Sequence, residues 1–338
     1  MNFPRPRALS FPVPHGLGVG GWLWIAVFAL GIACFPARAD TLRVAAYNVE
    51  NYLDQPTESR PRVKSAAARA KVCESIETIN PDVIALEEMG GTNALLELRA
   101  SLQARGRVFP YWEQVQGFDT NIHLAVLSKL PILARRPHTN DAFLLDGRRF
   151  LVKRGFAELD LQAATNFTFT LIAAHLKSRL AAPEADEAEE RLAEARALRA
   201  IIDARLAREP QARLIVLGDF NDTKDSAPLR EIIGRGKHRL IDTRPAERNG
   251  DTARPEAPYF EPRDVSWTYF YGRDDTYSRI DYILLSPGLK PNWLPGETGI
   301  PFIPNWGIAS DHRPIVAAFT TESPREPAEA RYGDNISR

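Results

Sequence analysis

From Thr41 onward the chain alternates short runs dense in aliphatic and β-branched residues with longer stretches in which apolar side chains return every three or four positions. The short runs predict strands at Leu42 to Tyr47, Asp82 to Glu87, Ile122 to Ser128, Ile132 to Arg136 and Arg154 to Leu161. Further strands are expected at Phe167 to His175, Leu214 to Leu217, Ile280 to Leu285 and Pro314 to Phe319. The longer stretches predict helices at Arg62 to Ile79, where Pro81 enforces the stop, at Asn93 to Arg105 and at Glu184 to Arg208. The last has acids in its first turns and arginines toward its end, which suits the helix dipole, and its charge run reads as a solvated face without a binding role. Several strands follow one another directly, so the pattern is mixed α/β with hairpins rather than strict βαβ repetition. Residues 244–278, rich in Pro, Gly, Asp, Arg and aromatics, predict long surface loops, and the polar tail at 322–338 is expected to be disordered. No linker divides the middle, so residues 40–321 read as one domain.

The N-terminus breaks this pattern. Arg5 and Arg7 precede an apolar run from Leu17 to Phe35, followed by Ala37-Arg38-Ala39, the layout of a secretory signal peptide over residues 1–39. The run approaches the length of a membrane anchor, but its glycines and the Ala-x-Ala site favour cleavage, and a lipid-attachment site at Cys34 is the weaker reading. Secretion or a periplasmic location is therefore expected. Only Cys73 remains after processing, so no internal disulfide forms, and its place beside Val72 and Ile76 marks it as a small core residue.

With 338 residues, 44% of them hydrophobic and 25% charged, the chain can bury a large core and keep an ordinary surface, which excludes fibrous and disordered classes. Lys and Arg together number 43 and so do Asp and Glu, so no overall basic field draws a polyanion, and any such partner must be held locally.

Polar residues gather where the strands end. Asn48 and Glu50 follow the first strand, Glu87-Glu88 the second, and His175 and Lys177 the Phe167 run. Asp219, Asn221 and Asp222 end the Leu214 run, Asp281 lies in the next, and Asp311-His312 precedes Pro314. Groups at strand ends converge on one sheet edge, where ligand sites form. Carboxylates with an amide oxygen suit Mg²⁺, Mn²⁺ or Ca²⁺, whereas zinc is disfavoured by the lack of His-x-x-x-His or paired Cys. A hard cation with histidines fits phosphate-ester hydrolysis better than acyl transfer, and no Gly-x-Ser-x-Gly elbow is present.

The segments Val44-Ala45-Ala46-Tyr47-Asn48-Val49-Glu50-Asn51, Asp82-Val83-Ile84-Ala85-Leu86-Glu87-Glu88, Gly218-Asp219-Phe220-Asn221-Asp222, Arg279-Ile280-Asp281-Tyr282-Ile283 and Ser310-Asp311-His312-Arg313-Pro314 resemble, in order, the motifs of the endonuclease/exonuclease/phosphatase superfamily. The resemblance spans Leu42 to Phe319 and implies a four-layer αββα sandwich, two mixed sheets face to face with helices outside. It also implies metal binding by Glu88, with Asn48 and Asp311 completing the site. Glu87 stands where relatives often carry Gln, and is either a flanking residue or a participant. Asp219 and Asn221 would orient the attacking water and contact phosphate. Asp281 would hold His312, which polarises the phosphate or acts as base, and His175 would contact a phosphate oxygen or protonate the leaving oxygen. Attack would be direct and in line.

One departure is visible. The stretch Arg148 to Arg154, where deoxyribonuclease I supplies a glutamate to the partner of His175, is basic here, which suggests a site gripping phosphate through arginine, with Arg149 as the candidate. Lys177 either adds a fixed positive charge or is an ordinary solvated lysine. Tyr269, with Trp267, Phe270, Tyr271 and Tyr277, either stacks on bases or serves packing. His123, His138 and His238 read as surface or satisfied histidines.

The expected function is a secreted, monomeric, metal-dependent phosphodiesterase that cuts DNA or RNA, supported by the similarity of His175-Leu176-Lys177-Ser178 to extracellular bacterial nucleases. The alternatives are a phosphatase or sphingomyelinase-like lipid phosphodiesterase, docking through an apolar lip at Trp293 to Trp306, and a binding protein that has kept only the fold.

Overall fold

The computed structural model describes residues 41–181, 183–247 and 264–322. The expected signal segment at 1–39 and the tail beyond Glu322 lie outside these residues, so the structure says nothing of them. In chain order the strands are β1 (Thr41–Tyr52), β2 (Val83–Met89), β3 (Tyr111–Val115), β4 (His123–Ser128), β5 (Ile132–His138), β6 (Ala142–Leu145), β7 (Arg148–Leu151) and β8 (Phe156–Ala164). They continue as β9 (Phe167–His175), β10 (Leu214–Asp219), β11 (Ile241–Asp242), β12 (Tyr269–Tyr271), β13 (Thr276–Ser278), β14 (Asp281–Leu285) and β15 (Ile315–Thr320). Four α-helices are described: α1 (Ala66–Ile79), α2 (Thr92–Ala104), α3 (Glu187–Arg208) and α4 (Ala227–Ile233).

Two sheets carry the fold, one ordered β15-β1-β2-β4-β3 and the other β11-β14-β10-β9-β8-β5. Both are mixed: β1 with β2 and β9 with β10 run parallel, and the other pairs antiparallel. Because successive side chains in a strand point to opposite faces, each sheet sorts its apolar residues into two cores. Val44, Ala46, Val83, Ala85 and Val126 of the first sheet meet Leu159, Ala173, Ile215, Leu217 and Ile283 of the second between the sheets. The alternate positions Ala45, Tyr47, Ile84 and Leu86 pack against α1 and α2, and Ile172, Val216 and Leu284 against α3 and α4. The result is the αββα sandwich anticipated from the sequence.

Helix ends follow local chemistry. Ser65 Oγ accepts from Ala68 N at 3.2 Å to start α1, which stops where Asn80 turns left-handed (φ 45°) ahead of Pro81. Asp186 Oδ1 accepts from Ala188 N and Glu189 N, both at 3.0 Å, so α3 begins at Glu187 and not at Glu184.

Two expectations need correction. The charged face of α3 is not all solvated, since Glu190, Arg191, Glu194 and Arg199 are buried. They are covered by segments distant in sequence: Arg199 Nη1 donates to Ile232 O at 3.0 Å and its Nη2 to His238 O at 3.0 Å. Helical periodicity cannot reveal such coverage, because it depends on loops that fold over the helix. The stretch predicted as loop at 244–278 also contains a short hairpin, β12 with β13, in which Tyr269 pairs with Ser278.

Gly218, next to last in β10, has φ 129°, and a Cβ there would lie 2.1 Å from Ala174 O and 3.0 Å from Glu87 Oε1. Gly218→Ala is therefore expected to destabilise the fold by roughly 2–3 kcal/mol in denaturant unfolding, and a loss under about 0.5 kcal/mol would refute this. At the β5–β8 edge, Glu158 takes Arg136 Nε at 2.7 Å and His138 Nε2 at 3.0 Å. Burial pushes Glu158 up, but those two contacts outweigh it and hold it below its ordinary value, while the Glu158 contact raises His138. The Glu158 contribution is present above its unfolded pKa and lost as pH falls through the folded one. The His138 contribution is present below its unfolded pKa and lost as pH rises through the folded one. The stability deficit of Glu158→Gln should thus be largest between about pH 4.3 and 6.5 and shrink on either side. A deficit that grows steadily up to alkaline pH would contradict it.

Candidate active site

The inter-sheet core does not stay apolar to its end. Continuing each inward-facing series by two residues leads from Val44 and Ala46 to Asn48, and from Val83 and Ala85 to Glu87. In the second sheet it leads from Leu171 and Ala173 to His175, from Ile215 and Leu217 to Asp219, and from Leu285 and Ile283 to Asp281. Register completes the convergence. Asp219 lies opposite His175 on one side and Asp281 on the other, and Asn48 lies opposite Glu87. All five are at most 2% exposed, so the site is the polar cap of the sandwich interior.

Asp219 is its hub. Its Oδ2 accepts from Asn48 Nδ2 at 3.0 Å and lies 3.6 Å from His175 Nε2 and 3.7 Å from His312 Nε2. Its Oδ1 accepts from Asn221 N at 2.8 Å, in a turn where Asn221 is left-handed (φ 53°) and donates Nδ2 to Leu176 O at 3.0 Å. His312 Nδ1 lies 2.9 Å from Asp281 Oδ2. Ser310 fastens this loop to β1: its Oγ accepts from His312 N at 3.0 Å and donates to Asn48 O at 2.8 Å. The Tyr269 ring sits 4.7 Å from the imidazole of His312, centroid to centroid.

Charge follows from this packing. Burial disfavours the His312 cation, but Asp281 and Asp219 outweigh it and hold its pKa well above the ordinary value. Burial and the neighbouring Asp281 push Asp219 upward against the pull of His312, the Asn221 amide and Asn48. His175 goes the other way: burial, Arg154, His312 and Arg60 all depress it, so it is neutral at pH 7. Glu87 is driven far up by burial and by Asp281 and Asp219, and neither of its oxygens has a hydrogen-bond partner among the described residues. Sequence reasoning left Glu87 undecided between bystander and participant. The structure places it inside the cluster, against the bare backbone of Gly218, where burial favours its protonated form.

A cleft of about 590 Å³ opens over this floor, lined by His175, Asp219, Asn221, Tyr269, Asp311 and His312 among others. Glu88 reaches it through a bulge: the β1–β2 register shifts after Asn48, and Glu50, Asn51 and Glu88 are all left-handed (φ 44°, 54° and 61°). Glu88 Oε2 accepts from Asn51 N at 3.0 Å, and Lys64 Nζ lies 3.5 Å from Glu50 Oε2. Asp311 is pushed up to about 6 by burial, with Glu50 and Glu88 adding repulsion and His312 opposing. Glu50, Glu88 and Asp311 all line this cleft and offer oxygen donors of the kind a hard divalent cation prefers. Asn48 has its amide committed to Asp219 and its Oδ1 to Glu50 N at 2.9 Å, and it links this set to the hub. Asp219, Asp281 and His312 also bring one ligand-type atom each within 4.8 Å of one another. The Asp281–His312 hydrogen bond engages one atom of each, Oδ2 and Nδ1, and leaves Asp281 Oδ1 and His312 Nε2 outside it.

Two expected substrate contacts do not line the cleft. Arg149 lies exposed on β7, paired with Leu144 in the β6–β7 hairpin. Lys177 is buried, donating Nζ to Ser178 O at 3.0 Å and to Leu180 O at 2.6 Å, so it is neither a free charge nor a solvated lysine. The cleft arginines are Arg60, Arg154, Arg179 and Arg273. Arg154 could have been found from strand order: Phe156 pairs with Ala174, so a residue two places earlier stands across from Leu176, next to His175. Helix α3 braces this side, Glu194 accepting from Lys177 N at 2.6 Å and Lys153 N at 3.0 Å, and Arg191 Nη1 donating to Lys177 O at 3.2 Å.

Solved structures share this architecture. The human nocturnin catalytic domain, bearing a sulfate, is 15% identical over 83% of this chain and 95% of its own, with a TM-score of 0.56. Truncated TDP2 from Caenorhabditis elegans is 16% identical over 83% and 97%, with a TM-score of 0.54. The beta toxin of Staphylococcus aureus is 17% identical over 82% and 99%, also at 0.54. At such identities the likeness is one of fold. No curated protein matches the chain. The model of the endonuclease/exonuclease/phosphatase family matches residues 45–312, the span that holds every element of the cleft floor, and the chain belongs to that family.

Proposed function

We propose that the protein is a secreted, metal-dependent phosphodiesterase that acts as a nuclease on DNA or RNA. The family hydrolyses phosphoester bonds, and the observation that carries the finer reading is the pairing of a buried His312 cation with the Glu50, Glu88 and Asp311 carboxylates in one cleft. Glu88 and Asp311, with Glu50 near, would hold a divalent ion, which would supply neutralisation of the phosphate charge. His312, fixed by Asp281, offers Nε2 to a phosphate oxygen and stabilises charge developing there. Asp219, whose proton affinity is raised, orients a water and takes its proton as the water oxygen bonds to phosphorus; the P–O ester bond breaks, its electron pair goes to the leaving oxygen, and that oxygen gains a proton from solvent in the open cleft. Asn48 and Asn221 N hold that carboxylate in place. Neutral His175 serves as a hydrogen-bonding wall and not as an ion. Secretion rests on the Ala37-Arg38-Ala39 site behind an apolar run.

A second reading, a lipid phosphodiesterase, draws on one observation. Phe302 (84% exposed) and Ile308 (51%) stand out near Trp306, whose ring is 5.5 Å from that of Trp267, which in turn is 4.7 Å from Tyr277 of the hairpin at the cleft mouth.

Purified protein given supercoiled plasmid, structured RNA and phosphatidylcholine or sphingomyelin vesicles separates these readings. Cutting of nucleic acid that needs Mg²⁺ or Mn²⁺ and stops with chelator is expected. Hydrolysis of vesicles alone would overturn the nuclease reading. His312→Ala and Asp219→Asn should each lower kcat/KM by about 10²-fold or more, the usual cost of a lost transition-state contact. Glu88→Gln should raise the half-saturating metal concentration at least about tenfold, measured by calorimetry. Glu87→Gln replaces a neutral acid by its isostere and should keep activity within roughly threefold, whereas a loss near that of Asp219→Asn would show that Glu87 works as an anion.

A further inference from the structure

The charges in the cleft are segregated. Glu50 and Glu88 act on Asp311, whereas Arg154 and Arg60 act on His175. One phosphodiester carries a single negative charge, which a divalent ion at the carboxylates would by itself answer, with His312 Nε2 at hand on the floor. The arginines about His175 are therefore surplus to the scissile group.

Arg154 is the more informative of the two, being only 6% exposed. Its Nη1 donates to Leu176 O at 3.2 Å, and its Nε, 3.4 Å from Asp119 Oδ2, is buried without a hydrogen bond. Its Nη2 makes no hydrogen bond among the described residues, yet the side chain lines the cleft beside His175 and Asn221. Keeping an almost fully buried guanidinium under-used costs free energy that an anion would return. Arg60 lines the same cleft, tied to Asn51 Oδ1 by one hydrogen bond. A planar guanidinium fork held in place suits a phosphate better than a lone ammonium does.

On the phosphodiesterase reading above, we propose that Arg154 and Arg60 form a subsite for a second phosphate, the one neighbouring the scissile phosphate in a nucleic-acid strand. A strand places its next charge one nucleotide along, and this subsite receives it. A choline or ethanolamine headgroup would bring a cation to the same place and be repelled. The arginine wing thereby selects a polynucleotide over a phospholipid.

The test compares kcat/KM for the dinucleotides TpT, pTpT and TpTp, which share one scissile bond and differ in the neighbouring phosphate. The wild-type protein should favour at least one phosphorylated form over TpT by about tenfold or more, the scale of a charge-assisted contact. In Arg154→Met and in Arg60→Gln that preference should fall to within about twofold, with Arg154→Lys between, since it keeps the charge and loses the fork. Arg60, half-buried in a loop, carries the test should Arg154→Met fail to fold. Cleavage of all three dinucleotides without preference, or an undiminished preference in both folded variants, overturns the subsite alone. Failure to cut any dinucleotide, RNA or plasmid while bis(p-nitrophenyl) phosphate is hydrolysed overturns the nuclease reading and the subsite with it.

Discussion

Burying the Asp219 carboxylate at the end of the inter-sheet core is the constraint from which the rest of the site follows. A carboxylate removed from water must recover its lost hydration through contacts, and the fold provides them from four separate segments. Asn48 comes from β1, the Asn221 amide from the turn after β10, His312 from the loop before β15 and His175 from β9. Each contact also fixes the position of its own segment, so satisfying one buried charge aligns the open ends of both sheets. The hydrophobic effect brings the sheets together, and the polar cap decides their registration at this end.

The cap holds five acidic or basic groups that cannot all be charged. Asp281 hydrogen-bonds His312, Asp219 lies beside the same imidazole, and burial favours the uncharged forms of Glu87 and His175. Gly218 makes this arrangement sterically feasible, because a side chain there would meet Glu87 Oε1 and the Ala174 carbonyl. Backbone conformation therefore sets electrostatics: a positive φ at one residue of β10 admits a neutral acid into a site otherwise crowded with anions.

Much of this was legible in the sequence, for a physical reason. A strand that ends in a polar residue in phase with its buried face points that residue into the same interior, so Asn48, His175, Asp219 and Asp281 could be read from alternation alone. What alternation could not give was anything set by left-handed residues or by distant cover. Glu87 and Glu88 are neighbours, and only the bulge between Asn48 and Tyr52 explains how both serve one site. The basic stretch from Arg148 to Arg154 signalled phosphate, but Arg149 lies on an exposed hairpin, and the residue that reaches the cleft is Arg154, fixed by the antiparallel register of β8 with β9. The burial of Lys177 could not be read in this way because its partners are the carbonyls of Ser178 and Leu180, a local fold that leaves no periodic trace.

The outer layer takes part in the chemistry through this same region. Glu194 of α3 accepts two backbone amides, one beside Arg154 and one two residues past His175, while Arg191 grips the carbonyls of that second segment and the carboxylate of Asp222 at 3.1 Å. Glu194 is itself buried, and burial raises its pKa against the pull of those amides and Arg154. A helix that had only to cover the sheet would need no buried charge, since apolar residues such as Leu198 and Ile202 already perform that task. Its buried acids and arginines instead cross-link the two segments that carry Arg154 and His175 toward the cleft, so the spacing of the basic wing is set from outside the sheets. The carboxylate wing is shaped by the left-handed turn at Glu50 and Asn51 and is braced from the other outer layer, where Arg69 of α1 donates to Leu53 O at 2.5 Å and Glu97 of α2 accepts from the Tyr52 hydroxyl at 2.7 Å. The two halves of the cleft thus rest on different helices and meet twice, on the floor at Asp219 and above it where Arg60 donates to Asn51 Oδ1 beside the amide that holds Glu88, so a change in one wing is felt by the other.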